Sequence, residues 1–151
     1  MGMDVYGTEP IDPKGEYFRN NVWWWRPLWD YCLTHHPDPA AKVENGHSND
    51  GDGLNATDAT KLGTLLKQDI LSGKVDSYEE KYKQELESLP MGKCEHCSGT
   101  GIRNDEYVQG TCNACKGEGK VKHWAANYPF SKENIQEFSE FLINSGGFSI
   151  C

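Results

Sequence analysis

The sequence predicts an α+β fold, mainly helical, in which one domain over residues 1–151 carries a four-cysteine β-hairpin inserted at 93–122. Three observations lead there. Apolar residues recur at helical spacing in several segments. Gly, Pro, Asn and Asp clusters punctuate the chain between those segments. Four of the six cysteines fall in one thirty-residue stretch, and the chain reads as globular on both sides of it, over 1–92 and 123–151. A length of 151 residues fits one domain with a small insert.

Taken in order, residues 1–17 hold Gly7, Pro10, Pro13 and Gly15, which predicts an extended or looped lead-in. A block dense in aromatics follows, from Tyr17 to Tyr31. Pro27 suits the first turn of a helix, so a helix is expected over 27–33, stopped by Pro37 and Pro39. Residues 44–53 are a loop by composition. A helix is expected over 56–71, with Leu62, Leu65, Leu66 and Ile70 at helical spacing and Ser72-Gly73 at its end. Ser77-x-x-Glu80 matches a capping box and predicts a helix over 78–89, with Tyr78, Tyr82 and Leu86 on one side. Ser131 is placed to cap a helix over 132–144 that turns Ile135, Phe138, Phe141 and Leu142 inward. The last residues, 148–151, can pair as a strand or dock as a tail.

Composition excludes several classes of function. With 36% hydrophobic and 25% charged residues the chain is too apolar to be disordered, and no apolar run approaches the ~20 residues of a membrane span. A formal charge of −8 makes it a poor general reader of nucleic acid, because phosphate contacts need Lys and Arg. The N-terminus has no basic segment followed by an apolar core, and neither lipidation pattern fits. A reducing, cytoplasmic setting is expected, in which C-x-x-C pairs point to metal rather than to a disulfide framework.

The cysteines read Cys94-Glu-His-Cys97-Ser-Gly99-Thr-Gly101 and Cys112-Asn-Ala-Cys115-Lys-Gly117-Glu-Gly119, with fourteen residues between Cys97 and Cys112. Each C-x-x-C turn brings two sulfurs to one ion. Two turns supply four thiolates from Cys94, Cys97, Cys112 and Cys115, a closed tetrahedral set for one structural Zn²⁺ with no position left for water or substrate. The glycines after each pair suit the tight, positive-φ backbone of such turns. Ile102, Tyr107 and Val108, with Asn104-Asp105 between them, suggest the hairpin. Residues 93–122 carry five bases and four acids. Four thiolates and a zinc ion bring that segment to about −1.

Other residues compete for a role. Asn49-Asp50-Gly51-Asp52-Gly53 resembles part of a calcium loop, yet Ala59 stands where a bidentate Glu is required. His35, His36 and His47 lie near Asp38, Asp50 and Asp52, so a hydrolytic or small-molecule site around 35–52, with Arg19 and Arg26 near it, is an alternative. Trp23, Trp24 and Trp25 cannot all face one side of a helix or strand. At least one is expected to point to a groove or a partner, with Arg19 and Arg26 beside it; the rest belong to the core. Cys32 reads as buried packing.

The two C-x-x-C-x-G-x-G repeats resemble the cysteine-rich zinc module of DnaJ-type co-chaperones, which has four repeats where this chain has two. The resemblance spans about 93–122. His36-Pro37-Asp38 spells the J-domain tripeptide in the wrong setting, so stimulation of an ATP-driven chaperone is not implied. The whole chain resembles a family of small bacterial and phage proteins through residues 1–7, 15–23, 49–54, the two cysteine repeats, 127–130 and 145–151. That resemblance implies one unit built around a zinc module, and it implies no activity. The expectation is a zinc-stabilised protein-interaction module of adaptor, chaperone-like or phage-effector type, partnered by another protein. A weak nucleic-acid contact through Lys116, Lys120 and Lys122 is a further alternative.

Overall fold

The computed structural model describes all 151 residues and is a mixed α/β structure with small sheets. No helix is long and apolar enough to cross a membrane. The chain divides into two compact units: Met1–Lys83 together with Tyr128–Cys151, and Gln84–Asn127.

The first unit is built on a four-stranded antiparallel sheet. Strands β1 (Gly2–Gly7), β2 (Tyr17–Asn21), β3 (Gly53–Asn55) and β8 (Gly147–Ile150) lie in the order β2-β1-β8-β3. The lead-in is therefore a strand, and Met3 and Val5 alternate inward along it. The C-terminal segment pairs as an interior strand, and Gly53 leaves the expected 44–53 loop to open β3. Neither β1 nor β3 has a strong local signal. Each is set by the neighbour it pairs with.

Five helices accompany the strands: α1 (Val22–His35), a short α2 (Pro37–Ala40) broken at Asp38, α3 (Ala56–Leu71), α4 (Lys74–Glu87) and α5 (Lys132–Asn144). Helices α3 and α5 have the expected limits. Asn55 caps α3 by accepting from the Asp58 amide, and Ser131 caps α5 by accepting from the Asn134 amide.

Two helix starts differ from expectation. Helix α1 begins five residues before Pro27, because the Asn21 side chain accepts from the Trp24 amide and caps it there. Pro27 thus lies inside the helix and has no N–H for the Trp23 carbonyl. Helix α4 begins at Lys74, directly after Gly73 (φ +83°), so Ser77 lies within the helix and the capping box does not form. Val75, wholly buried, anchors that first turn.

One apolar cluster joins the sheet to the helices. Helix α1 sends Trp25, Leu28, Trp29 and Cys32 inward at i, i+3, i+4 and i+7. Trp25 and Trp29 stack at 5.5 Å, and Phe138 meets both rings edge-on. Helices α3 and α5 touch at Gly63, where a Cβ would lie 2.9 Å from Leu142 and Ile143. At the same place the Ser139 hydroxyl donates to the Gly63 carbonyl at 2.7 Å.

In the second unit β4 (Gly92–Lys93) pairs with β7 (Lys120–Val121), and β5 (Ile102–Asn104) with β6 (Gln109–Thr111), both antiparallel. Asp105 closes the β5–β6 turn by accepting from the Tyr107 and Val108 amides at 2.9 and 2.8 Å. The buried cluster of this unit consists of four cysteines, with Val121 packed against it.

Candidate metal centre

Cys94, Cys97, Cys112 and Cys115 are all buried, and their sulfurs lie within 4.8 Å of one another. Cys94 and Cys112 approach to 4.0 Å, Cys97 and Cys115 to 3.7 Å, and none is in a disulfide. A zinc ion about 2.3 Å from each sulfur would hold tetrahedral ligands roughly 3.8 Å apart. The two close sulfur pairs match that spacing, and the whole set lies within 4.8 Å. Four thiols buried together with no other apolar residue fully buried beside them make a poor hydrophobic core, and their donor chemistry fits a thiophilic metal ion.

The backbone explains how the repeats shape this cluster. The two halves make the same bonds. Gly99 donates to the Cys94 carbonyl at 3.0 Å as Gly117 does to Cys112 at 3.1 Å. The Gly101 amide donates to the Cys97 sulfur and the Gly119 amide to the Cys115 sulfur, each at 3.2 Å. The halves also hold each other, because Cys94 N–H donates to the Gly119 carbonyl and Cys112 N–H to the Gly101 carbonyl. All four repeat glycines have φ between +72° and +84°. At Gly101 and Gly119 a Cβ would come 2.4 Å from the facing carbonyl, so those two positions exclude any side chain on contact alone.

Burial pushes the Cys97 thiol up, but the Gly101 amide and the neighbouring Cys115 and Cys94 side chains outweigh it and bring it down to about 6. Burial dominates at Cys94 and takes it up to about 11. Amides aimed at sulfur favour the thiolate, the form that binds metal.

Comparison with family models, curated proteins and solved structures gives no match. The reading of the site therefore stands on its own geometry.

The other residues singled out by sequence are dispersed. Trp25 is fully buried, contrary to a role at a partner surface, because its place on α1 faces Phe138 of α5; its indole N–H donates to the Gly46 carbonyl at 2.7 Å. Trp24 is half-buried, and Trp23 is 45% exposed. Trp23 lies 4.9 Å from the Tyr128 ring, and Arg26 reaches the Tyr128 hydroxyl at 3.3 Å. Arg19 pairs with Asp4 at 3.4 Å.

In the 44–53 loop His47, Asp50 and Asp52 each have a separate partner. His47 faces Asp30 at 3.1 Å, Asp50 accepts from the Ser48 hydroxyl, and Asp52 accepts from the Asn45 and Gly53 amides. His47, Asp50 and an arginine do not come together.

A buried polar cluster escaped the sequence reading. Asp69 is 8% exposed and accepts from the Tyr31 hydroxyl at 2.7 Å; His36 Nε2 lies 2.5 Å from the same oxygen, and Lys74 lies 3.9 Å from the other. Its signal was present: Asp69 follows Leu62 and Leu66 on the inward face of α3, where a carboxylate needs partners.

Proposed function

We propose that the protein is a zinc-stapled binding protein, in which one Zn²⁺ held by Cys94, Cys97, Cys112 and Cys115 serves a structural role. The observation that carries this reading is the buried cluster of four sulfurs within 4.8 Å of one another, two of them accepting from backbone amides. Four cysteine ligands fill the coordination shell, so the ion would order the Gln84–Asn127 unit and present its surface without offering an open position for chemistry. Metal analysis of the purified chain is expected to give about one zinc per chain, and Cys94→Ser with Cys112→Ser is expected to abolish it. Full metal retention in that double variant would overturn the assignment.

The partner in this reading is another protein, met in a reducing compartment. Trp23, Arg26 and Tyr128 support it, since an exposed tryptophan against a half-buried tyrosine, with an arginine beside them, has the composition of an interface anchor. Affinity capture by the full chain, compared with a Trp23→Ala/Arg26→Ala variant, tests it. A partner retained equally by both would remove this patch from the interface.

A further inference from the structure

The metal unit carries a groove of about 520 Å³ that the structural role of zinc does not use. Lys93, His96, Lys122, His123, Trp124 and Asn127 line it, and Glu95 is its one acidic residue. Trp124 is 68% exposed, with the His123 ring 5.3 Å from its own. An indole face, imidazoles, an amide and two ammonium groups thus converge on one open cleft.

The charges around the groove are arranged differently from those elsewhere in the chain. In the first unit six of the eight lysines, Lys14, Lys42, Lys61, Lys74, Lys83 and Lys132, lie within 4 Å of a carboxylate. In the metal unit Arg103 is bound by Asp105 at 2.6 Å, while Lys93, Lys116, Lys120 and Lys122 have no such partner. Lys93 stands directly across from Lys120 in the β4–β7 pair. Like charges facing each other across strands weaken the pairing, so folding gives no reason for the arrangement. A zinc tetrathiolate carries two negative charges and brings residues 93–122 to about −1, so the positive charge is local to the groove, where Lys93 and Lys122 stand against one acid, Glu95. The net charge of −8 belongs to the chain as a whole and does not describe this face.

We propose that this groove binds single-stranded nucleic acid, with a base stacked on Trp124 and the adjoining phosphates on Lys93 and Lys122. An aromatic face reaches a base only when that base is unstacked from a duplex, which selects the single strand. The inference rests on the metal reading, because the bound ion would hold the turn that carries Lys93 and His96.

The test uses the full chain with its zinc content measured on the same sample. Anisotropy of a labelled oligonucleotide of about twelve residues is followed at 50 and 200 mM salt, with a duplex and a poly-glutamate peptide as competitors. The two phosphate contacts, on Lys93 and Lys122, predict a slope near −1.4 in log K against log salt, so binding should weaken about sevenfold over that range. Trp124→Ala should weaken it by about tenfold at constant salt, and Lys93→Gln with Lys122→Gln should make the slope shallower by about 1.4. Both variants should retain one zinc per chain. Zinc-loaded protein that fails to bind at low salt overturns the proposal. So does Trp124→Ala binding like the parent, or equal displacement by duplex or by poly-glutamate, the last assigning the groove to an acidic protein. A chain that holds no metal overturns the zinc reading itself, a distinct result.

Discussion

Asp69 shows how much one buried carboxylate organises. Removing it from water costs several kcal/mol unless partners replace the lost hydration, and Tyr31 of α1, His36 just after that helix and Lys74 at the start of α4 do so. Tyr31→Phe removes one hydrogen bond and should lower stability by about 1–2 kcal/mol. Asp69→Ala should cost more, about 3–5 kcal/mol, because it leaves the buried Tyr31 hydroxyl and His36 ring without their partner at once. Urea unfolding curves check both, and equal losses for the two variants would contradict the cluster.

His35 is next to this site and is not part of its bonding. Its Nε2 is buried and has no hydrogen-bond partner, between the rings of Tyr31 and Tyr78. Burial lowers its pKa from 6.5, and Lys74 and His36 add to that against the pull of Asp69. The unfolded chain then binds the proton more readily than the folded one. The stability His35 allows is therefore complete above the ordinary histidine value, and falls as pH drops from there toward the lowered one. His35→Phe keeps the ring packing and removes the titration. Its stability should decline less than that of the parent between about pH 7.5 and 5.5. Parallel declines would assign the pH dependence to other groups.

At the scale of elements, α3 and α5 were legible because each signal was local: Asn55 and Ser131 cap them, and Leu62–Leu66 and Ile135–Phe138–Leu142 give the period. The start of α4 was not. Ser77-x-x-Glu80 has the letters of a capping box, but the buried Val75 and the left-handed Gly73 set the boundary earlier. Helix α1 misled in the same way, since Pro27 tolerates the helix interior when tertiary packing of Trp25, Leu28 and Trp29 holds the helix on both sides of it. The α3–α5 contact carries its own prediction. Gly63→Val would drive a branched side chain into Leu142 and Ile143 and should destabilise the protein by about 1–3 kcal/mol or more. A midpoint of thermal unfolding unchanged by that substitution would mean the helices can separate there without cost.

For the whole molecule, the two units differ in what holds them. The first has a cluster of more than twenty buried apolar residues, whereas the buried cluster of Gln84–Asn127 is its four cysteines. Metal removal should therefore act unevenly. After chelation, amides of Gly99, Gly101, Gly117 and Gly119 should lose protection from hydrogen exchange, while those in the middle of α3 and α5 keep theirs. Uniform loss across both units would show that the metal supports the entire chain.

The sequence by itself determined the metal ligands as a candidate set, the glycines that shape their turns, and the helices with their own caps. These depend on residues close in the chain, where spacing alone dictates geometry. Only the tertiary structure decided that β1 and β8 are neighbours, that Trp25 is buried while Trp23 is exposed, and that Asp69 rather than Asp38 or Asp50 receives His36. Those outcomes join residues far apart in sequence, and strand partners and buried charges are chosen by what lies opposite them in space. The four lysines beside the cysteines belong to both: their number is written in the sequence, and their lack of acidic partners appears only in the fold.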